Sequence, residues 1–199
     1  MMKRGVVFGW TAVLLCAACA SSVTEHYYVL GAEGPAAPTV QRGLRIAIDA
    51  VNLPQLVDRS EMVFQGPEGR ITISETERWA EPLRQGIGRV LARDLTLRLG
   101  GARVTAFPEP WLEDPEMHVS LDVQSWLIRP AEGLSISVLW AVRPVAPAGA
   151  AALPATQGRT TLEVPIQGTG TAATLRAQNQ ALAELADALA RAIVDRGGT

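Results

Sequence analysis

Two cysteines, Cys16 and Cys19, lie three residues apart near the start of the chain, in the stretch LLCAACASS. A CxxC pair can serve disulfide exchange or metal binding. The residues before the pair favour another interpretation. Lys3 and Arg4 are followed by an uncharged, mostly apolar run over residues 5–15 and then by small residues. This order is typical of a secretion signal that is removed from the mature protein.

Cys19 is the better candidate for the residue at the cleavage point. Cleavage just before a cysteine that follows small residues resembles the lipobox of bacterial lipoproteins, and Ala17 and Ala18 precede Cys19. Cys16 follows two bulky leucines instead. Cleavage between Ala18 and Cys19 would remove residues 1–18 as a signal peptide. Cys19 would then be the only cysteine left, so a CxxC centre in the mature protein would be impossible.

Lipid attached to Cys19 would hold the protein at a membrane. One acyl chain binds only marginally, whereas two or more, at about 0.8 kcal/mol for each buried methylene, hold a protein stably. We therefore expect a lipoprotein with palmitate-type chains, in which residues 19–42 form the anchor, a short strand and a linker. An aspartate directly after the cysteine commonly retains bacterial lipoproteins at the inner membrane, and Ala20 stands there. The expected location is the periplasmic face of the cell outer membrane.

Three carboxylates, Glu75, Glu77 and Glu81, surround Arg78 and could serve acid-base catalysis. The alternative is structural, because acidic residues are favoured at a helix N-terminus. In that case Arg78 would bridge to Glu75 or Glu81, and Trp79 would pack beneath the turn. We favour the structural alternative, since the chain offers few other groups that could converge on these carboxylates.

Other motifs for catalysis or ligand binding are weak. His26 and His118 have no partner at metal-ligand spacing, so no metal site is expected, and His118 is expected to be solvated or hydrogen-bonded. Residues 168–173 fit a loose GxGxxA phosphate loop. No strand follows the helix that they begin, which favours a helix entry with Thr169 or Thr171 as N-cap. No cofactor is expected, and the chain is predicted not to be an enzyme.

The charge distribution excludes one class of partner. Of 18 basic residues, Lys3 and Arg4 lie in the predicted signal, which leaves 16 arginines against 20 acidic residues, a net charge of −4. Without a basic cluster, this charge argues against nucleic-acid binding. With 48% apolar residues and interspersed charge, residues 43–199 are predicted to form one globular domain.

Hydrophobic periodicity predicts eight strands and two long helices, one within the series of strands and one after it. Alternation predicts strands over residues 26–30, 44–51, 61–65, 71–74, 102–107, 117–127, 134–142 and 159–166. In the last of these, Pro165 suggests an edge position or the end of the strand. The segments 117–127 and 134–142 are predicted to form an antiparallel hairpin, with Ser125 on the same face as Val119. One helix is predicted to begin near residues 78–81, with Trp79 on its apolar face, and another covers residues 171–196.

Several of these stretches together resemble a known family. The sequence RWAEPL at residues 78–83, preceded by Leu53-Pro54 and Asp58-Arg59, is similar to the signature of the ABC-type transport auxiliary lipoproteins, the PqiC-like family. The similarity includes the cleavage motif and extends over nearly all of the mature chain. Further matching positions are residues 27–30, 89–92, 99–100, 110–111 and 119–123, Trp126, Trp140 and the Ala- and Leu-rich final helix.

The resemblance implies both a fold and a function. The implied fold is α/β, a three-layer sandwich with a mixed sheet of about five strands and two long helices, similar to anticodon-binding domains. The implied function is that of a non-enzymatic outer-membrane lipoprotein that docks a partner with an MCE domain. It would thereby serve an ABC-type transporter in lipid traffic between the two membranes and support envelope integrity. Self-association into a homo-oligomer is a further implication.

The family positions are our candidates for the surface that contacts the partner: Leu53, Pro54, Asp58, Arg59, Arg78, Trp79, Glu81 and Pro82. Two alternatives remain. One is a structural outer-membrane lipoprotein without a transport role. The other is a periplasmic lipoprotein enzyme that uses Glu75, Glu81 or His118.

The cleavage assignment is testable by changing each cysteine separately. Cys19→Ser should leave an unprocessed and mislocalised precursor, because residue 19 no longer has a thiol for lipid attachment. Cys16→Leu should be processed at least as well as the wild type. Precursor and mature forms are separated by gel electrophoresis of fractionated membranes, and equal loss of processing in the two variants would contradict the assignment.

Overall fold

The structure is a computed structural model that describes residues 24–32, 43–109, 114–130, 132–146, 148–151 and 153–197. Cys16, Cys19 and the predicted signal lie outside these residues, as does Trp111. Within them the elements follow in the order β1 (His26–Tyr28), β2 (Arg45–Ile48), β3 (Glu61–Gln65), β4 (Ile71–Trp79), α1 (Leu83–Arg98), β5 (Arg103–Ala106), β6 (Met117–Arg129), β7 (Gly133–Pro144), β8 (Thr156–Val164) and α2 (Thr171–Gly197). The predicted α/β class, mixed sheet and two long helices are confirmed. The sheet of the described residues has eight strands rather than about five.

The longest strand, β6, organises the sheet. One of its edges pairs antiparallel with β7, and β7 pairs antiparallel with β8. The other edge is shared by two strands: the start of β6 pairs in parallel with β2, and Ile128 near its end pairs in parallel with Phe64 of β3. Beyond them, β2 pairs with β5, while β3 pairs with β4 and β4 with β1. The sheet therefore forks at β6 into two branches.

β6 and β7 form the predicted antiparallel hairpin and pair along their full lengths. Val119, Leu121 and Val123 are buried, as alternation predicts. The prediction that Ser125 shares their face is wrong. The register shifts between Val123 and Ser125, and Trp126 takes the next buried position. A β-bulge of this kind adds one residue to a strand, so the alternation of faces reverses after it.

The first helix begins later than the sequence predicts. β4 continues to Trp79, because β1 pairs with residues 77–79 on one edge and Glu61 of β3 pairs with Arg78 on the other. Pro82 keeps an extended backbone (φ −54°, ψ 127°) and α1 starts at Leu83. The prediction of a helix start near residues 78–81, with Trp79 on the helix face, is therefore wrong. Trp79 is buried, but it is buried as the last residue of a strand.

The two helices contact each other as well as the sheet. Arg98 of α1 is only 5% exposed, and its Nε donates to a carboxylate oxygen of Asp187 in α2 at 2.6 Å. The same guanidinium donates to the carbonyl of Ala183 at 2.9 Å and lies 3.6 Å from the buried carboxylate of Asp94. Buried charges are tolerated when they are paired in this way. The predicted apolar stripes are also buried, including Ile87, Leu91, Leu95, Leu182, Leu185, Leu189 and Ile193.

The edge strand β8 accommodates a large aromatic side chain of its neighbour. Trp140 of β7 pairs with Gly158 of β8, and a Cβ atom on Gly158 would lie 2.4 Å from the Trp140 ring. The indole N–H donates to the hydroxyl of Thr160 at 2.9 Å. β8 ends at Val164, directly before Pro165, and pairs with β7 alone. This confirms the prediction that Pro165 indicates an edge position or the end of the strand.

Replacing Gly158 tests whether this ring contact is rigid. Gly158→Ala should lower the free energy of unfolding by about 1–3 kcal/mol, the usual cost of forcing extra volume into a packed contact. Gly66→Ala is the control, because its Cβ would come no closer than 3.7 Å to another atom. Urea denaturation of both variants measures the difference. Equal stabilities would show that the ring moves aside freely.

A candidate partner-binding groove

A groove with a volume of about 550 Å³ opens where the two branches of the sheet end beside α1. Three separate parts of the chain line it: residues 58–60 from the loop before β3, residues 79–85 between β4 and α1, and Phe107 directly after β5. β4 belongs to one branch and β5 to the other. The fork of the sheet thus creates the space, and the start of α1 forms one of its walls.

The structure brings most of the predicted surface residues together. Asp58, Arg59, Trp79, Glu81 and Pro82 all line the groove. Of the other predicted residues, Arg78 does not line the groove. It precedes the lining residue Trp79 and forms ion pairs with Glu25 and Glu61.

The last two predicted residues, Leu53 and Pro54, do not line the groove. Leu53 packs against the core. The carbonyl of Pro54 accepts hydrogen bonds from the backbone N–H groups of Val57 (3.0 Å) and Asp58 (3.1 Å). These two residues therefore shape the turn that presents Asp58 to the groove.

Arg78 connects three parts of the chain through charged hydrogen bonds. Its Nε donates to Glu25 at 2.6 Å, and its Nη1 donates to Glu61 at 2.9 Å. Arg59 donates to the other oxygen of Glu61 at 3.1 Å. The prediction that Arg78 bridges to Glu75 or Glu81 is wrong, because residue 78 lies in β4 and its side chain reaches the residues on the neighbouring strands. The bridge instead joins the segment before β1 to the wall of the groove.

The surroundings of these carboxylates lower their pKa values. The pKa of Glu61 falls from 4.5 to about 2, first through the hydrogen bond with its own backbone N–H and then through Arg78 and Arg59. The pKa of Glu25 is lowered as well, chiefly by the hydrogen bond from Tyr27 and then by that from Arg78. Both groups are thus ionised at neutral pH and keep the guanidinium of Arg78 paired.

Two further ion pairs line or flank the groove. Arg84 forms a paired contact with the carboxylate of Asp58 and joins α1 to the loop before β3. Arg89 donates to Glu81 at 2.5 Å and to the carbonyl of Leu30 at 2.9 Å. Through Arg89, Glu81 therefore helps to hold the chain after β1 against α1.

The groove also contains an aromatic residue that sequence reasoning missed. Phe107 is 60% exposed at the rim, whereas Trp79 is buried at the groove floor. Phe107 is the last residue of a predicted strand (102–107), and that position gave no sign that it would meet residues 79–85. Only the pairing of β5 with β2 places Phe107 beside the end of the other branch.

No constellation for metal binding occurs in the parts of the chain that the structure describes. His118 lies on β6 and its Nδ1 is 2.8 Å from a carboxylate oxygen of Asp49, which confirms the prediction of a hydrogen-bonded side chain. The carboxylate of Glu77 lies 3.2 Å from Nδ1 of His26.

Across the described ranges, neither helix combines the length and apolar character needed to cross a bilayer.

Comparison with known proteins finds one matching family. The family model described as "ABC-type transport auxiliary lipoprotein component" matches residues 28–190. No curated protein matches the sequence.

Solved structures with the same fold also exist. One, titled an uncharacterized protein, is 22% identical with a TM-score of 0.67, and the match covers 85% of this chain and 99% of that chain. Another, a Xanthomonas campestris protein of family DUF330, is 14% identical with a TM-score of 0.64, and the match covers 87% of this chain and 99% of that chain. At these identities, the likeness shows the fold.

The lowered pKa of Glu61 predicts how stability depends on pH. A carboxylate whose folded pKa is about 2 stabilises the fold above its unfolded pKa, and this stabilisation is lost as pH falls from about 4.5 towards 2. Glu61→Gln should therefore be less stable than the wild type at pH 7, and the difference should shrink below pH 4.5. Denaturation midpoints at pH 7, 4.5 and 3 measure it. Glu109→Gln, which removes a carboxylate without an ion pair among the described residues, is the control, and a difference independent of pH would contradict the prediction.

Proposed function

The chain belongs to the family of ABC-type transport auxiliary lipoprotein components, and we propose that it docks the MCE-domain component of an ABC-type lipid transporter at the outer membrane. The family match supports the coarser statement, an auxiliary lipoprotein of transport. The finer statement depends on the RWAEPL motif and the groove. The observation that carries it is the meeting of Asp58, Arg59, Trp79 and Pro82 with Phe107 in one groove.

The groove has the composition that protein interfaces use. Interfaces commonly have a central aromatic or apolar anchor surrounded by polar groups that exclude water. Phe107 and Pro82 are exposed apolar groups, and the Asp58–Arg84 pair lies beside them. Arg59 also reaches the groove. A partner segment that inserts an apolar side chain between Phe107 and Pro82 would bury both without breaking the paired charges.

The ion pairs behind the groove also relate it to the proposed anchor. Glu25 contacts Arg78, and only residues 20–24 lie between it and Cys19. Such a tether spans at most about 20 Å. With Cys19 lipidated, the domain formed by residues 43–199 would lie close to the membrane, and its groove would hold a partner there. This arrangement suits an auxiliary protein that binds the end of an MCE protein at the outer membrane.

The proposed role is not enzymatic. Two of the groups that could have served catalysis have structural partners: Glu81 pairs with Arg89, and His118 is hydrogen-bonded to Asp49. The third, Glu75, is exposed on β4. These contacts support a protein that acts by binding.

Removal of the exposed aromatic ring tests the docking proposal. Phe107→Ser should strongly reduce co-purification of the MCE protein and transporter from detergent-solubilised envelopes, because the groove loses its apolar anchor. Stability should change by no more than about 0.5 kcal/mol, as is usual for exposed side chains. Quantitative mass spectrometry of the captured proteins measures the result.

Leu97→Ser is the matched control, because it also removes an exposed apolar side chain. Leu97 lies near the opposite end of α1, about 20 Å from Leu83 at 1.5 Å per residue. This variant should retain the partner. If the wild type captures no MCE protein, permease or ATPase, the proposed function is wrong. Equal capture by both variants would show that the partner does not dock in the groove.

A further inference from the structure

A larger cavity lies between the last turns of α2 and the strands β6, β7 and β8. Its volume is about 1030 Å³, and it shares no lining residue with the groove. Its walls include Met117 at the start of β6, Trp140 of β7, Leu153 before β8, and Ala188 and Ala192 of α2. A volume at the upper end of the range for ligand pockets is large enough for an extended apolar chain.

Small residues on α2 leave this space open. Elsewhere on α2, Leu182, Leu185 and Leu189 fill the interior and are buried. Ala188 and Ala192 lie one turn apart on the side that faces the cavity. Alanine extends only to Cβ, so the sheet beneath it stays uncovered.

Trp140 gives the cavity a rigid apolar wall. The absence of a side chain on Gly158 lets its ring lie against β8, and its N–H is already bonded to Thr160. The ring therefore needs no polar partner from a ligand. Exposed apolar side chains continue outwards from the cavity: Leu153 in its lining is 53% exposed, and Val145, next to the lining residue Pro144, is 46% exposed.

Charged groups of both signs stand at the end of the cavity. Arg191, Asp195 and Arg196 of α2 contribute to its lining. Arg196 is already bonded to the hydroxyl of Thr156. Arg191 is exposed and has no partner among the described residues. Two guanidinium groups beside one carboxylate match a headgroup that carries an anionic phosphate and a cationic amine.

We infer that this cavity binds a zwitterionic glycerophospholipid of the phosphatidylethanolamine class. One acyl chain lies between Trp140 and the alanines of α2. The phosphate is held by Arg191 and Arg196, and the amine by Asp195. The inference goes beyond partner docking, because it makes this chain itself a lipid-binding protein through a site separate from the groove.

Quenching of tryptophan fluorescence tests the inference. The full lipidated protein, in detergent micelles with excess unlabelled detergent, is titrated with phosphatidylethanolamine whose acyl chains carry bromine. Saturable quenching is expected in the wild type. It should be lost in Trp140→Phe, which removes the reporting ring, and should persist in Trp79→Phe.

Filling the cavity gives the decisive comparison. Ala188→Leu should weaken the apparent affinity about tenfold or more, because the larger side chain fills space that the acyl chain needs. A tenfold loss of affinity corresponds to about 1.4 kcal/mol. Ala172→Leu, at an exposed position of the same helix, should bind as the wild type does. Equal quenching in Ala188→Leu and the wild type, or none in the wild type, would overturn the inference.

The headgroup assignment has its own comparison. Arg191→Gln should bind brominated phosphatidylethanolamine about tenfold more weakly, since a charge-assisted hydrogen bond is lost. Arg93→Gln, which changes an exposed arginine on α1, should have no effect. Brominated phosphatidylglycerol, which lacks the amine, should bind more weakly than phosphatidylethanolamine, and equal affinity would overturn the assignment of Asp195.

Failure of this inference is distinguishable from failure of the docking proposal. Ala188→Leu should still co-purify the MCE protein, because the groove is unchanged. A wild type that captures the transporter without saturable quenching would contradict lipid binding alone. Saturable quenching without capture of the transporter would contradict docking alone.

Discussion

β6 is hydrogen-bonded along one edge to β7 and along its other edge to both β2 and β3. A strand of thirteen residues is long enough for two short parallel partners to share one edge, and the space between these partners cannot be closed by the sheet itself. The groove opens between the ends of the two resulting branches. Met117, the first residue of β6, lines the larger cavity. Both of these concave surfaces thus depend on how β6 distributes its neighbours.

Charge pairing positions the surfaces that the fork creates. Exposed ion pairs contribute little stability one at a time, typically 0–1 kcal/mol. Their effect here is geometric, because Glu25, Arg78, Glu61 and Arg59 join the segment before β1 to the groove wall. With Cys19 lipidated as proposed, a segment held in this way would leave the domain little freedom to turn away from the membrane. The pair of the buried Arg98 and the exposed Asp187 does the same for the two helices.

Small residues on β8 and α2 create the larger cavity beside Trp140. Gly158 admits the ring of Trp140 onto β8, and the alanines of α2 leave that ring uncovered. The same helix closes the core elsewhere with leucines. Together these features give the fold two concave sites of different character, a polar-rimmed groove and an apolar cavity. In the function proposed above, the groove would align the transport components and the cavity would receive a lipid chain.

Local patterns in the sequence predicted the β6–β7 hairpin, the stripes of both long helices and the strand end at Pro165. Each of these depends on residues a few positions apart, so periodicity is sufficient to find them. The family motif also selected five of the residues that line the groove, although Leu53 and Pro54 support its loop from behind. The sequence by itself therefore determined the class of fold and much of the candidate surface.

Contacts between distant parts of the chain decided the rest. Residues 75–79 remain in a strand because β1 and β3 flank them, whereas their sequence alone favours a helix start. Arg78 pairs with Glu25 and Glu61, which are 53 and 17 residues away, rather than with its near neighbours. Phe107 reaches the groove only because β5 joins the branch opposite β4. Strand pairing is set by hydrogen bonds between segments far apart in sequence, and no local pattern records which segments will meet.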